Sequence, residues 1–346
     1  MLLCVYRGKS KKSFRAITNY LIFVQRNLFI NMAQQIAWMV IVNPKAGSGH
    51  GLTDWPAISN QMNRAGILFT CVFTEHKYHA VELTVKALRD GYRRLVAVGG
   101  DGTVHEVVNG IFHQQEVSPS EVTLSVIPTG TGNDWVRMFG IPHTYNEAVQ
   151  AMVEFRTVLQ DIGKVSFVET RVPQIRYMAN VAGLGFDAAV NRKYNQLRDE
   201  GRMSKWLYVR STLRMLLGYH ATRFKVEVDG QPFFDGKVFS ATVGIGKYNG
   251  GGMIQMPYAE VNDGLLDLTL ICKASKLWML RHFKHLYDGK IYQYPKIKHT
   301  QGSTIRIETY PPGPIEIDGE ALGYAPFTFE VLPRSLQVVV GRKYEV

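Results

Sequence analysis

The residues best equipped for chemistry stand in one short stretch. Gly99-Gly100-Asp101-Gly102-Thr103 follows the apolar run from Leu95 to Val98 and opens into a helical pattern, with Val104, Val107, Val108 and Ile111 on one face. A strand that breaks into glycines at the mouth of a helix leaves backbone N–H groups free there. Together with the helix dipole, such groups hold phosphate oxygens. Glycines let a ligand approach the backbone closely, and Thr103 is expected to cap the helix. An acid in such a loop repels phosphate. Asp101 therefore needs either Mg²⁺ between itself and the phosphates or a duty as proton acceptor toward an attacking hydroxyl. The chemistry indicated is phosphoryl transfer at a nucleotide site.

Two further glycine turns point the same way. Ala37–Val42 is apolar and ends in Asn43-Pro44-Lys45-Ala46-Gly47-Ser48-Gly49; Val122–Ile127 ends in Pro128-Thr129-Gly130-Thr131-Gly132-Asn133-Asp134. Three such strands, each stopping in a polar turn before a helical segment, place the turns at one edge of a parallel sheet, where ligands bind. No Walker A loop occurs, and the dinucleotide fingerprint fails because His105 stands where a third small residue belongs. Ordinary strand-to-helix turns are the competing account of any one loop, and a weak account of three in order.

The elements that must position these loops fall into two kinds. Up to about residue 160, strands alternate with helical segments such as 79–90 and 145–155, the signature of an α/β domain. Beyond Asp161 strand-like runs dominate, punctuated by Gly, Asn and Asp turns: Val165–Phe167, Arg176–Val181, Phe224–Val228, Gly236–Gly244, Leu266–Cys272, Ser303–Thr309 and Phe327–Leu332. That pattern predicts an antiparallel β-sandwich. A chain of 346 residues exceeds a comfortable single core, so two domains are expected. Cys4, Cys71 and Cys272 are too few and too scattered for a disulfide framework or a zinc site, which suits a reducing cytoplasm. No window approaches the ~18 apolar residues that span a bilayer.

The strings VNPKAGSG, GGDGTVHEVVNG and IPTGTGNDWVRMFGIP, in this order, resemble the diacylglycerol kinase catalytic-domain family, which includes bacterial soluble lipid kinases, sphingosine kinases and ceramide kinases. The resemblance continues through NVAGLGFDAAV (180–190), PYAEVNDGLLDLTL and IEIDGE (315–320), covering about residues 36 to 334. NAD kinases share the GGDGT loop, but the Pro-Thr-Gly-Thr-Gly-Asn-Asp block and the late Asp-Gly-Glu favour lipid kinases. The fold implied is an N-terminal α/β nucleotide-binding domain with a parallel sheet (34–162, plus about 335–346) and a C-terminal antiparallel β-sandwich lipid domain (163–334). The active site lies in the cleft between them.

The activity implied is ATP- and Mg²⁺-dependent phosphorylation of a primary hydroxyl on a membrane lipid. Diacylglycerol leads as acceptor, then sphingoid long-chain base, then phosphatidylglycerol-type lipids; NAD kinase and a silent lipid or nucleotide sensor are more distant readings. Asn43, Gly99, Gly100, Asp101, Gly102, Thr103, Glu106, Thr131, Asn133 and Asp134 are the cradle candidates, with Thr74 where relatives contact nucleotide. Lys45 is a further phosphate candidate, a solvated loop lysine being the alternative; Asp134 either meets a phosphate-bound metal or orders the loop by capping, and Thr74 is otherwise a plain strand-ending threonine. In the bacterial lipid kinases the glutamate at Glu320 is the proton acceptor, whereas in sphingosine kinases the loop aspartate takes that role. Glu320 is assigned here as base and Asp101 to Mg²⁺–ATP, a plain Asp-Gly reverse turn being the alternative for Glu320. Asp263 with the backbone at Glu260 and Leu265 matches a second, structural Mg²⁺ site, and an Asp-Gly hairpin turn competes there. Asp187 matches a position near the acceptor head group.

Charge and apolar residues mix in Lys193–Tyr219 and Lys276–Lys298, as in basic amphipathic helices that lie on anionic membranes; packing on the sandwich with a solvated basic face is the alternative. No nucleic-acid-reading motif accompanies the charge. Residues 1–33 form a basic extension in which Arg7, Lys9, Lys11, Lys12, Arg15 and Arg26 supply six of the formal net charge of +11. Met32 is expected as the functional start, with a membrane-surface arm as the alternative. The resemblance is compatible with a homodimer, and the protein is expected to be cytoplasmic and peripherally membrane-bound.

Overall fold

Four strands rich in Val, Ile and Leu open the chain: β1 (Trp38–Val42), β2 (Phe69–Phe73), β3 (Arg94–Gly99) and β4 (Thr123–Pro128). They run parallel in the order β2-β1-β3-β4. Every residue of β1 and β4 is buried, as expected for parallel strands covered on both faces. The covering helices pack in two pairs, Trp55–Arg64 with Tyr145–Glu154 and His79–Arg89 with Asp101–His113. The computed structural model describes residues 36–169, 172–199 and 214–345. The basic extension, and the part of the 193–219 segment holding Trp206, Leu207 and Leu213, lie outside the described residues.

The second half is antiparallel. Its strands are β5 (Thr157–Glu169), β6 (Val172–Met178), β7 (Val181–Gly185), β8 (Thr222–Val228), β9 (Gln231–Gly244), the short pair β10 (Tyr248–Asn249) and β11 (Met253–Ile254), β12 (Leu266–Cys272), β13 (Ile297–Gly302), β14 (Thr304–Tyr310), β15 (Pro314–Ile317) and β16 (Glu320–Val339). Pairing closes a ring, β16-β14-β8-β9-β7-β15-β16. The long strands β9 and β16 each serve both faces of that ring, and Phe224, Phe327 and Phe329 fill its interior. The sequence reading missed β13, which carries no period-2 alternation, and the two-residue β10 and β11; it ran the end of β6 and the start of β7 together as Arg176–Val181, and it caught only part of the 20-residue β16.

β16 also joins the two halves. It begins at Glu320, pairs with β5 over most of its length, and ends beside β4, with Gln337 and Val338 parallel to Thr123 and Leu124. The register between β16 and β5 shifts at Leu332/Leu336. There the buried Asp161 accepts the N–H of Arg334 at 2.6 Å and that of Gly264 at 2.7 Å. Burial pushes Asp161 above the usual carboxylate value, although both N–H groups oppose the rise.

Candidate active site

The carboxyl ends of β1, β3 and β4 bring the three glycine turns together through backbone contacts. Asn43 N–H donates to Val98 O, and Thr129 N–H to Gly99 O, both at 2.9 Å. A Cβ on Gly130 would stand 2.5 Å from Gly100 Cα, and one on Gly47 1.9 Å from Thr129 O. Only glycine permits either approach. The Asn43 side chain locks the first turn to the second: its Nδ2 donates to Thr103 Oγ1 at 3.0 Å, while its Oδ1 accepts Lys45 N–H at 3.0 Å. Thr103 therefore does not cap the helix as expected. Gly100 is the N-cap, and the Thr103 hydroxyl folds back over Gly99, where a Cβ would lie 2.2 Å from it. The helix consequently opens with Asp101 and Gly102 N–H at a bare N-terminus.

Acids cluster around that terminus. Asp101 is half-buried, and its Oδ1 accepts Trp135 N–H at 3.0 Å, holding the Asp134–Met138 helix. Burial raises the Asp101 pKa; the Trp135 N–H opposes the rise and the Asp134 charge adds to it. Asp134 Oδ2 accepts Gly251 N–H at 2.7 Å, and burial also raises Asp134. Thr129 Oγ1, Asn133 Oδ1 and Asp134 Oδ1 are buried without a hydrogen-bond partner, Asp134 Oδ1 having only the Arg137 guanidinium 3.9 Å away. Asn133 Nδ2 is bound to Gly130 O at 2.7 Å, so its orphaned atom is the acceptor. Of the other candidates, Thr131 is exposed at the turn's tip and Thr74 is buried at the end of β2, its N–H on Val42 O. Glu106 is taken up by the neighbouring helix. Its two oxygens accept Tyr78 and Ala80 N–H at 3.0 and 3.1 Å, capping the His79–Arg89 helix.

The opposing wall is the β15–β16 hairpin. Its two-residue turn, Asp318-Gly319, has φ of 48° and 89°, the geometry that suits an Asp-Gly pair in a tight hairpin. The turn is thus both an Asp-Gly hairpin and a carrier of acids. Glu320 follows it, and a Cβ on Gly102 would find Glu320 Oε1 at 3.9 Å with nothing nearer. The structure therefore brings Glu320 to the mouth of the GGDGT loop. Lys77 reaches Glu320 Oε2 at 2.6 Å. Burial lowers the Lys77 pKa, but the hydrogen bond and charge of Glu320 outweigh that and raise it.

Asp318 does the fastening. It accepts the N–H groups of Ala179, Asn180 and Val181 at 2.8 to 3.0 Å, and its Oδ2 lies 3.0 Å from His105 Nδ1. A carboxylate only accepts, so His105 carries its proton on Nδ1. This fully buried contact pins the helix behind the glycine loop to the hairpin that presents Glu320. Sequence reasoning missed His105 and Lys77, and it set Asp318 beside Glu320 facing the cleft, whereas Asp318 turns inward to the Ala179–Val181 backbone. The Asp-Gly turn was the one signal available for Asp318.

Asp187 and the 260 loop sit apart from this centre. Asp187 is half-buried at the start of the Phe186–Asp199 helix, where Gln255 Nε2 and Thr242 Oγ1 donate to it at 3.2 and 3.4 Å. Beside it Glu316, which is buried, is pushed up to about 8, chiefly by burial, with the charges of Asp187 and Asp318 adding. Glu260 and Asp263 are exposed, and Asp263 Oδ1 accepts Leu265 N–H at 2.9 Å. Their charges help burial push the neighbouring Asp267 up to about 6.

Two family models cover most of the chain: the diacylglycerol kinase catalytic domain over residues 37–165, and the YegS C-terminal NAD kinase beta sandwich-like domain over 180–340. A diacylglycerol kinase of Staphylococcus carnosus is 28% identical over 86% of this chain and 93% of its own length. A diacylglycerol kinase of Mycobacterium tuberculosis is 27% identical over 87% and 94%. Among solved structures, a diacylglycerol kinase from Bacillus anthracis superposes with a TM-score of 0.67 at 22% identity, covering 89% of this chain and 97% of that one. That likeness speaks for the fold alone: an N-terminal α/β domain followed by a β-rich one.

Proposed function

Since the chain belongs to the diacylglycerol kinase catalytic-domain family, a family of ATP-using kinases, we propose that it transfers the γ-phosphoryl group of ATP to the primary hydroxyl of a membrane lipid, diacylglycerol first. One observation carries this reading: Glu320 faces Gly102 across the cleft, setting a carboxylate against an open helix N-terminus. The N–H groups of Asp101 and Gly102 bind phosphate oxygens, with Lys45 as a nearby point charge. Glu320 accepts the hydroxyl proton as the oxygen attacks phosphorus, and the incoming hydroxyl competes with Lys77 for Oε2.

The residues fit a magnesium ion. Asp101, Asn133 Oδ1 and Asp134 Oδ1, the last two without a hydrogen-bond donor, are hard oxygen donors that suit a cation. Mg²⁺ bound there would neutralise charge on the transferring phosphate. Glu260, Asp263 and the Leu265 carbonyl form a second oxygen-donor set, of structural use. Membrane attachment is assigned to the Lys276–His282 helix, capped by Ser275 and followed by exposed Phe283 and Tyr287. Among the described residues no helix is long and apolar enough to cross a membrane. A lipid acceptor and ATP together would call for work at the cytoplasmic face of a membrane.

The test is labelled ATP with Mg²⁺ and mixed micelles of diacylglycerol, sphingosine or phosphatidylglycerol, with soluble NAD as a further acceptor. Label is expected in diacylglycerol, falling about 10²–10⁴-fold in Glu320→Gln. Label confined to NAD would overturn the lipid reading, and label confined to another lipid would reassign the acceptor.

A further inference from the structure

Outside the cleft, His76, His79 and Glu82 gather at the start of the His79–Arg89 helix. Each offers a ligand atom within 4.8 Å of the other two. Two donors that share one zinc ion at about 2.0–2.2 Å stand at most ~4.4 Å apart, so a small closure of side chains completes the site. His79 and Glu82 are three residues apart on one helical face, and His76 lies in the turn just before it. The two imidazoles stack with centroids 4.5 Å apart and 9° between their planes.

The hydrogen bonds orient the donors. His76 Nδ1 lies 3.0 Å from Lys77 O, and a carbonyl only accepts, so the Nε2 lone pair is left to ligate. This is the backbone support that metal-binding histidines commonly have. His79 Nδ1 accepts Glu75 N–H at 3.0 Å. Ligation by His79 gives up that one exposed hydrogen bond, a modest loss against an imidazole–metal bond.

We propose that His76, His79 and Glu82 bind one divalent transition-metal ion of the zinc class, distinct from the magnesium of the reaction. Two imidazoles and a carboxylate suit Zn²⁺, Co²⁺ or Ni²⁺, whereas Mg²⁺ prefers an all-oxygen shell. Three ligands on an exposed helix start leave coordination positions to water. Lys77 and Tyr78 lie between the two histidines. Lys77 reaches Glu320, and the Tyr78 N–H is held by Glu106, so the ion ties down both ends of a strap that borders the cleft.

The measurement is Zn²⁺ binding to the full chain in competition with a chromophoric chelator, with Co²⁺ visible absorption as a second readout and millimolar Mg²⁺ present throughout. One ion per chain is expected, with affinity falling at least tenfold in both His76→Ala and Glu82→Gln. Circular dichroism of the two variants, both altered at exposed side chains, verifies that each is folded. Absence of binding, or affinity unchanged in folded variants, overturns the proposal. Neither result depends on which acceptor is phosphorylated.

Discussion

Asp318 and Glu320 leave the same tight turn for opposite duties, one buried in hydrogen bonds and the other set against an open loop. Glu316, two residues before Asp318, shows what burial does to a third acid on this hairpin. Folded, its carboxyl is pushed up to about 8; unfolded, it returns to its ordinary 4.5. Between these values the folded chain keeps a proton that the unfolded chain has released. Stability contributed by this group therefore falls by about 1.4 kcal/mol per pH unit from about pH 4.5 to about pH 8, then levels off. Glu316→Gln carries no charge in either state, so its urea midpoint should decline less steeply over that window; a slope equal to wild type would refute the assignment. Most of this residue chemistry was illegible in the sequence. Asp101 announced itself by standing among glycines, a local signal. His105 and Asp318 are 213 positions apart, and Glu106 meets Tyr78 from 28 positions away; no local spacing encodes such contacts.

The elements were easier to read, because glycine turns, apolar strands and helical periodicity are properties of neighbouring residues. The three loops stand where three strand ends were expected to put them. Their interlock yields a contrast between two substitutions. Gly130→Ala drives a Cβ to 2.5 Å from the Gly100 backbone, which cannot retreat, and should destabilise by about 1–3 kcal/mol in denaturant titrations. Gly102→Ala meets only Glu320 Oε1 at 3.9 Å and stands in a helical first turn, so stability should hold or rise by up to ~1 kcal/mol. Phosphoryl transfer should fall even so, because the methyl group occupies the phosphate approach. A Gly102→Ala variant that is unstable, or fully active, contradicts this. The amphipathic reading of 276–298 can be tested the same way. Leu277, Leu280 and Phe283 are 76%, 49% and 53% exposed beside Lys276, Arg281 and Lys284. Replacing Leu277 and Phe283 together by Glu should weaken sedimentation with anionic vesicles about tenfold or more without changing the thermal midpoint. Vesicle binding equal to wild type would show that another face makes the contact.

At the scale of the whole molecule, the sequence divides where the backbone does not. The turn from alternating to strand-rich pattern near residue 161 is real in composition, yet β5 runs from Thr157 to Glu169 straight through it. β16 then returns to the first sheet, covering the edge of β4. Expressed alone, residues 36–165 would leave that edge open and should aggregate or remain partly unfolded, as light scattering and amide exchange would show; a monomeric, protected fragment would contradict this. Adding residues 335–345 as a separate peptide should restore solubility if the missing strand is the cause. The same continuity bears on how the cleft opens. A strand of 20 residues, roughly 65 Å if fully extended, begins at the carboxylate facing the phosphate site and ends inside the sheet that holds that site. The two walls are thus joined by one continuous strand, which must curve to bring its start back to the glycine loops. Gaping bends or twists that strand, and its register shifts, one at Tyr324/Thr328 and one gripped by Asp161 at Leu332/Leu336, are where it would flex.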